Sequence, residues 1–107
     1  MLSSRDVLIQ TDMMDKAVDF YEKILGLKII KQSKQLVGFE TGAFCLYLNE
    51  GKPYGPVFEF FVPNLEIAKQ TLIQTGCKVE IEDPNVPCCY VRDPFGLIFN
   101  LAERKEI

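Results

Sequence analysis

The chain has 107 residues, 48% of them apolar and 25% charged, which is the composition of one globular domain. At this length about two thirds of the unfolded surface can be buried. Histidine is absent, so the chain alone cannot assemble a Ser-His-Asp or Cys-His nucleophile, a His-bearing zinc site or a two-His-one-carboxylate iron site. Any chemistry would rest on carboxylate, thiol, tyrosine or lysine. Twelve basic against 15 acidic residues leave a net charge of −3, and the lysines are scattered, so nucleic acid is not an expected partner. The N-terminus, Met1 to Arg5, is too polar for a secretion signal, and no apolar run approaches the roughly 20 residues of a spanning helix. The four cysteines (Cys45, Cys77, Cys88 and Cys89) show no C-x-x-C spacing, and the expectation is a cytoplasmic protein with no membrane partner and reduced thiols.

In chain order, Asp6 to Thr11 is short, β-branched and alternating, and reads as a strand. Asp12 is the predicted helix N-cap, with Asp15 as a weak capping-box partner. Met14, Ala17, Val18, Tyr21, Ile24 and Leu25 then recur at helical spacing, and Gly26 sits where a left-handed C-cap belongs. Leu27 to Lys31, Leu36 to Thr41 and Phe44 to Asn49 read as strands, separated by breaks at Ser33-Lys34 and Thr41-Gly42.

A Gly/Pro-rich stretch then runs to Pro56, and the same order repeats. Val57 to Val62 reads as a strand, and Asn64 as the cap of a helix with an apolar face of Leu65, Ala68 and Leu72, closed by Gly76. Cys77 to Ile81, Cys88 to Arg92 and Leu97 to Ala102 are three more predicted strands, the last two joined by the turn Asp93-Pro94-Phe95-Gly96. The shift that carries Val7 onto Phe58 also carries Ile9 onto Phe60, Thr11 onto Val62 and Ala17 onto Ala68. The chain is therefore expected to be a single domain, 1–107, of two βαβββ modules: module 1 about 5–49, a linker 50–56, and module 2 about 57–103.

Alternation separates two faces. Val7, Ile9, Phe44, Leu46, Leu48, Phe58, Phe60, Val62, Leu97, Phe99 and Leu101 share one apolar parity, expected to pack on the helices. The other parity, with Asp6, Cys45, Tyr47, Val57, Glu59, Phe61, Ile98 and Asn100, is mixed and partly aromatic, which suits the wall of a ligand cavity.

Two segments carry a family resemblance. Ala17-Val18-Asp19-Phe20-Tyr21 followed by Ile24-Leu25-Gly26-Leu27, and Arg92-Asp93-Pro94-Phe95-Gly96 followed by Leu97 to Leu101, resemble the helix-1 and C-terminal motifs of the vicinal oxygen chelate superfamily, which includes glyoxalase I, bleomycin-resistance proteins and extradiol dioxygenases. The resemblance implies an α+β fold in which the two modules form a curved, half-barrel-like mixed sheet with a concave cavity and the helices outside. It also implies a homodimer. In metal-dependent members four side chains hold a divalent ion, and those positions fall here on Asp6, Cys45, Val57 and Asn100. Val57 has no donor, Asn100 stands where a carboxylate is usual, and the soft Cys45 is mismatched with hard oxygen donors. No metal and no cofactor are expected.

The remaining candidates lie on the mixed face. Glu59, amid apolar neighbours, is the central candidate for a base in a metal-free proton transfer, or else a half-exposed carboxylate paired with Arg92 or a lysine. Tyr90 and Tyr47 are candidates to stack on or hydrogen-bond a ligand, or are ordinary strand formers. Arg92 could bind an anion or bond to the turn. Cys45 and Cys88 are either reactive or buried and inert. Phe95, at the turn tip, reads as a dimer contact or a lid. The function expected is metal-free binding of a small molecule, similar to bleomycin-resistance proteins, with ligand contacts from Tyr47, Glu59, Tyr90, Arg92, Asn100 and Cys45. The alternative is a glyoxalase- or dioxygenase-like enzyme with an unusual ligand set.

Overall fold

A computed structural model describes residues 1–83, 85 and 88–106. In chain order its elements are β1 (Leu2–Ser3), β2 (Asp6–Thr11), α1 (Met14–Asp19), a π-helix (Phe20–Ile24), β3 (Lys28–Gln32), β4 (Leu36–Glu40), β5 (Cys45–Glu50), β6 (Tyr54–Val62), α2 (Leu65–Gln74), β7 (Lys78–Asp83), β8 (Cys88–Arg92) and β9 (Ile98–Glu103). The fold is α+β, with the βαβββ order occurring twice. Two compact units divide it: one is Arg5–Pro56, the other Met1–Ser4 together with the chain from Val57 onward.

In the Arg5–Pro56 unit, β2 and β5 pair in parallel, β4 pairs antiparallel with β5, and β3 antiparallel with β4 across a bulge between Ile29 and Lys31. Val37, Phe39, Leu46 and Leu48 form the buried core, with Val7, Ile9, Met14, Ala17, Val18 and Tyr21 packed on it. The apolar parity thus faces the helix, as its alternation requires. Two local expectations are corrected. Asp12 does not cap the helix: the Thr11 hydroxyl accepts the Met13 N–H at 3.1 Å, and the helix starts at Met14 without a side-chain cap. Nor does α1 run on to Leu25. It widens into a π turn in which the Leu25 N–H reaches the Phe20 carbonyl, five residues back, at 3.1 Å. The altered pitch rotates the last turn off the apolar stripe, so Ile24 and Leu25 are 71% and 53% exposed while Tyr21 stays against the core. Gly26 follows with φ +70°, a left-handed position that glycine occupies without a Cβ penalty.

In the other unit, β6 and β9 pair in parallel, β8 pairs antiparallel with β9, and β7 antiparallel with β8. Val62, Cys89, Val91, Phe99 and Leu101 form its core, covered by Phe60 and by Leu65, Ala68 and Leu72 of α2. The Asn64 side chain caps α2 by accepting the Ile67 N–H at 3.0 Å. Asp93 Oδ1 accepts the N–H groups of Phe95 and Leu97, each at 2.9 Å, which fixes the β8–β9 turn. Three features depart from the sequence reading. Leu2 and Ser3, for which the sequence reading has no element, form a short strand opposite Phe61 and Phe60. Strand β6 begins at Tyr54, inside the Gly/Pro-rich stretch. Phe58, Phe44 and Leu97 have helix-side parity yet remain substantially exposed: Phe44 and Leu97 lie just before β5 and β9, and none of the three belongs to either buried core.

Candidate functional site

The mixed face of β6, β9 and β8 holds one cross-strand row. Glu59 lies opposite Asn100 on β9, and Asn100 lies opposite Tyr90 on β8. Parallel pairing puts the first two on the same side of the sheet, and antiparallel pairing adds the third. Asn100 Nδ2 donates to Glu59 Oε2 at 3.3 Å, and Asn100 Oδ1 accepts the backbone N–H of Cys89 at 2.8 Å. Burial, reinforced by the nearby charges of Cys88 and Glu59, pushes the Tyr90 phenol above its ordinary range. Arg92 is two residues along the same face, and its Nε is paired with Glu80 Oε2 at 2.6 Å. Glu59 is half-buried, with Asn100 as its side-chain partner, while Arg92 is paired with Glu80.

Beside this row is a cleft of about 700 Å³ lined by Glu59, Leu65, Glu82, Asp83, Cys88, Asn100, Leu101, Ala102 and Glu103. That volume is in the range of small-molecule sites. Four of its nine lining residues carry carboxylates. Glu82 is bonded to Lys69 at 2.9 Å, and Glu103 accepts the Leu65 N–H at 3.2 Å. Sequence reasoning missed Glu82, Asp83 and Glu103. They sit at strand ends in a charge-rich stretch that reads as solvated surface, and only the β7–β8–β9 pairing brings them near Asn100.

In the Arg5–Pro56 unit, Cys45 lies opposite Asp6 and Tyr47 opposite Leu8. The Cys45 thiol is buried and donates to Glu40 Oε1 at 3.8 Å. Glu40 is in turn fastened to Arg5 at 2.7 Å and to the Gly42 N–H at 2.8 Å, so this cluster braces the β4–β5 turn. Tyr47 lies over Gly38: a Cβ there would meet its Cε1 at 2.7 Å. Burial first, then Asp6, pushes the Tyr47 phenol upward.

The donor set does not fit the superfamily's divalent ion. Among the described residues no three His, Cys, Asp or Glu side chains are grouped to hold one. Val57 faces Ile98, and both are buried hydrocarbons. The Asn100 amide oxygen is committed to the Cys89 N–H. The internal repeat also carries the Asn100 position, opposite the second outward residue of its first strand, onto Tyr47 opposite Leu8, with Cys45 one pleat earlier.

The βαβββ repeat and the mixed strand order define the class to which such a chain belongs. The sequence matches the Glyoxalase/Bleomycin resistance protein/Dioxygenase superfamily over residues 5–101, and the protein is a member of that superfamily. Among solved structures it is similar to the hypothetical protein BH1468 from Bacillus halodurans C-125, at 17% identity and TM-score 0.64, covering 95% of this chain and 94% of that one. A glyoxalase/bleomycin resistance protein/dioxygenase superfamily member from Vibrio splendidus 12B01 matches at 14% identity and TM-score 0.63, covering 92% and 96%. A mutant of homoprotocatechuate 2,3-dioxygenase from Brevibacterium fuscum matches at 19% identity and TM-score 0.65 over 97% of this chain, which spans only 33% of that enzyme. At such identities the likeness concerns the fold. No curated protein matches the sequence. No helix among the described residues is long and apolar enough to cross a membrane.

Proposed function

We propose that the protein binds a small molecule without a metal, similar to bleomycin-resistance proteins, and sequesters it in the cleft beside Glu59 as part of a homodimer. One observation carries the reading: among the described residues a cleft of small-molecule size is lined by four carboxylates and by no arginine or lysine, Glu82 alone of the four being described as bonded to a lysine, Lys69. Such a lining favours a ligand with a positively charged group, since a cation partly removed from water needs a fixed anion nearby. Leu65, Leu101 and Ala102 supply apolar surface for the rest of the ligand. Glu59 is the central anion, and Tyr90, Asn100 and Cys88 are its neighbours; Arg92 contributes through Glu80. Cys45 and Tyr47 line the mixed face of the other unit. The alternative, a glyoxalase- or dioxygenase-like enzyme, would need either a Lewis acid for which these donors are unsuited or Glu59 acting as a base without one.

Elemental analysis of the purified protein combined with a thermal-shift screen tests this. The expected result is no stoichiometric divalent ion, and stabilisation by aromatic amines but not by the corresponding carboxylic acids. One tightly held divalent ion per chain would overturn the metal-free reading. Stabilisation by anionic compounds alone would overturn the ligand class. Light scattering is expected to show twice the chain mass at micromolar concentration.

A further inference from the structure

We propose, resting on the ligand reading above, that Asn100 is the positioning residue of the cleft: it turns the Glu59 carboxylate toward the ligand and so sets the preference for a cation. The argument begins with the backbone. Strand β8 pairs with β9 only through Tyr90, Val91 and Arg92; Cys88 and Cys89 extend beyond the ladder. Cys89 is 1% exposed, so its N–H is shielded from water and needs a partner. Asn100 Oδ1 supplies it at 2.8 Å.

That bond fixes which way round the amide lies. An amide flip would set an NH₂ group against the Cys89 N–H, two donors face to face with no acceptor between them. With Oδ1 on Cys89, Nδ2 must point across to β6, where it meets Glu59 Oε2 at 3.3 Å. The backbone of β8 therefore dictates, through one side chain, where the Glu59 carboxylate sits. Few residues fit position 100 in this role. A carboxylate would set oxygen against oxygen at Glu59, and an aliphatic residue would satisfy neither neighbour. Asparagine, where relatives with a metal carry a ligand, joins a stranded backbone donor to an acid on the next strand but one. Glu59 and Asn100 both line the cleft, so the held acid borders the space the ligand would fill.

Selectivity rather than affinity tests this. Binding of benzylammonium and of benzyl alcohol, ligands of similar size that differ in charge, is measured by NMR titration on the full chain, on Asn100→Ser and on Glu59→Gln. The wild-type protein is expected to prefer benzylammonium by about tenfold, as a hydrogen bond to a charged partner would give. Glu59→Gln is expected to abolish the preference and Asn100→Ser to reduce it to about twofold. General loosening of the cleft would weaken both ligands and leave the ratio unchanged. A wild-type protein with no preference overturns the cationic-ligand reading, and the role of Asn100 with it. A wild-type preference that survives intact in Asn100→Ser overturns the role of Asn100 alone. A second readout holds even if Asn100→Ser does not fold: the Asn100 side-chain NH₂ resonances should move in Glu59→Gln. If they stay in place, the contact does not operate and the proposal fails.

Discussion

Gly38 and Tyr47 show how one residue can be required by its neighbour across a strand. Gly38 is buried in β4 directly opposite Tyr47 on β5, and the tyrosine ring occupies the space a side chain would take. Glycine normally weakens a strand, so its presence here marks a packing need rather than a backbone one. Gly38→Ala is expected to destabilise the protein by about 1–3 kcal/mol through the displaced ring. In a Tyr47→Ala background the same change should be neutral or stabilise by up to about 1 kcal/mol, because the unfolded chain then loses freedom without a clash. Urea unfolding of the four proteins in this cycle checks the coupling, and equal costs in both backgrounds would show that the ring does not sit over Gly38. The sequence identifies Tyr47 as a mixed-face residue by parity. It does not show that the ring is committed to Gly38, because the β4–β5 register is not a local property. Asn100 is similar: its departure from the family pattern is visible in the sequence, but its partner is the N–H of Cys89, which no side-chain pattern records.

The two helix starts, Asp12 and Asn64, look alike as sequence and differ as structure. Asn64 accepts the Ile67 N–H, whereas Asp12 accepts no capping bond because the helix starts one residue later than the sequence suggests, with Met13 at the cap position. Asn64→Ala should therefore cost about 1 kcal/mol, and Asp12→Ala should stay within about 0.5 kcal/mol of the parent. Chemical denaturation measures both, and a cost at Asp12 equal to that at Asn64 would contradict the local geometry. At this scale most of the fold is legible. Asp6 to Thr11 and Cys88 to Arg92 have the bounds that alternation predicts, because strand period and turn residues act locally. The π turn after Asp19 is not legible, since Phe20 to Leu25 keeps helical periodicity in sequence and only the hydrogen bonds reveal the wider turn. Nor is β1, whose two residues form a strand because β6 offers Phe60 and Phe61 as partners.

Taken over the whole chain, the titrating groups give an asymmetric pH response. The thiols of Cys77 and Cys89 and the phenols of Tyr47 and Tyr90 are all pushed upward, with burial the largest cause in each. A group whose folded pKa is raised holds its proton more tightly folded than unfolded. Its stabilisation is complete below the unfolded pKa and is lost as the pH rises through the folded value. Unfolded thiols titrate near 8.5 and phenols near 10, so stability should begin to fall above about pH 8.5 and fall more steeply above about pH 10. On the acid side the lowered groups, Glu40 and Glu106, belong to exposed ion pairs of the kind that contribute little. The melting temperature should therefore be flatter from pH 6 to 8 than from pH 9 to 10.5. The chain already carries a net charge of −3, and general repulsion also grows with pH, so the decline alone does not identify its cause. Tyr90→Phe separates the two: it removes one half-buried proton-binding group while leaving the net charge below pH 9 unchanged. Its melting temperature should decline less between pH 9.5 and 10.5 than that of the parent. Parallel curves for the two proteins would assign the loss to general repulsion, and Tyr90 would then be no more protected from ionisation in the folded protein than in the unfolded chain.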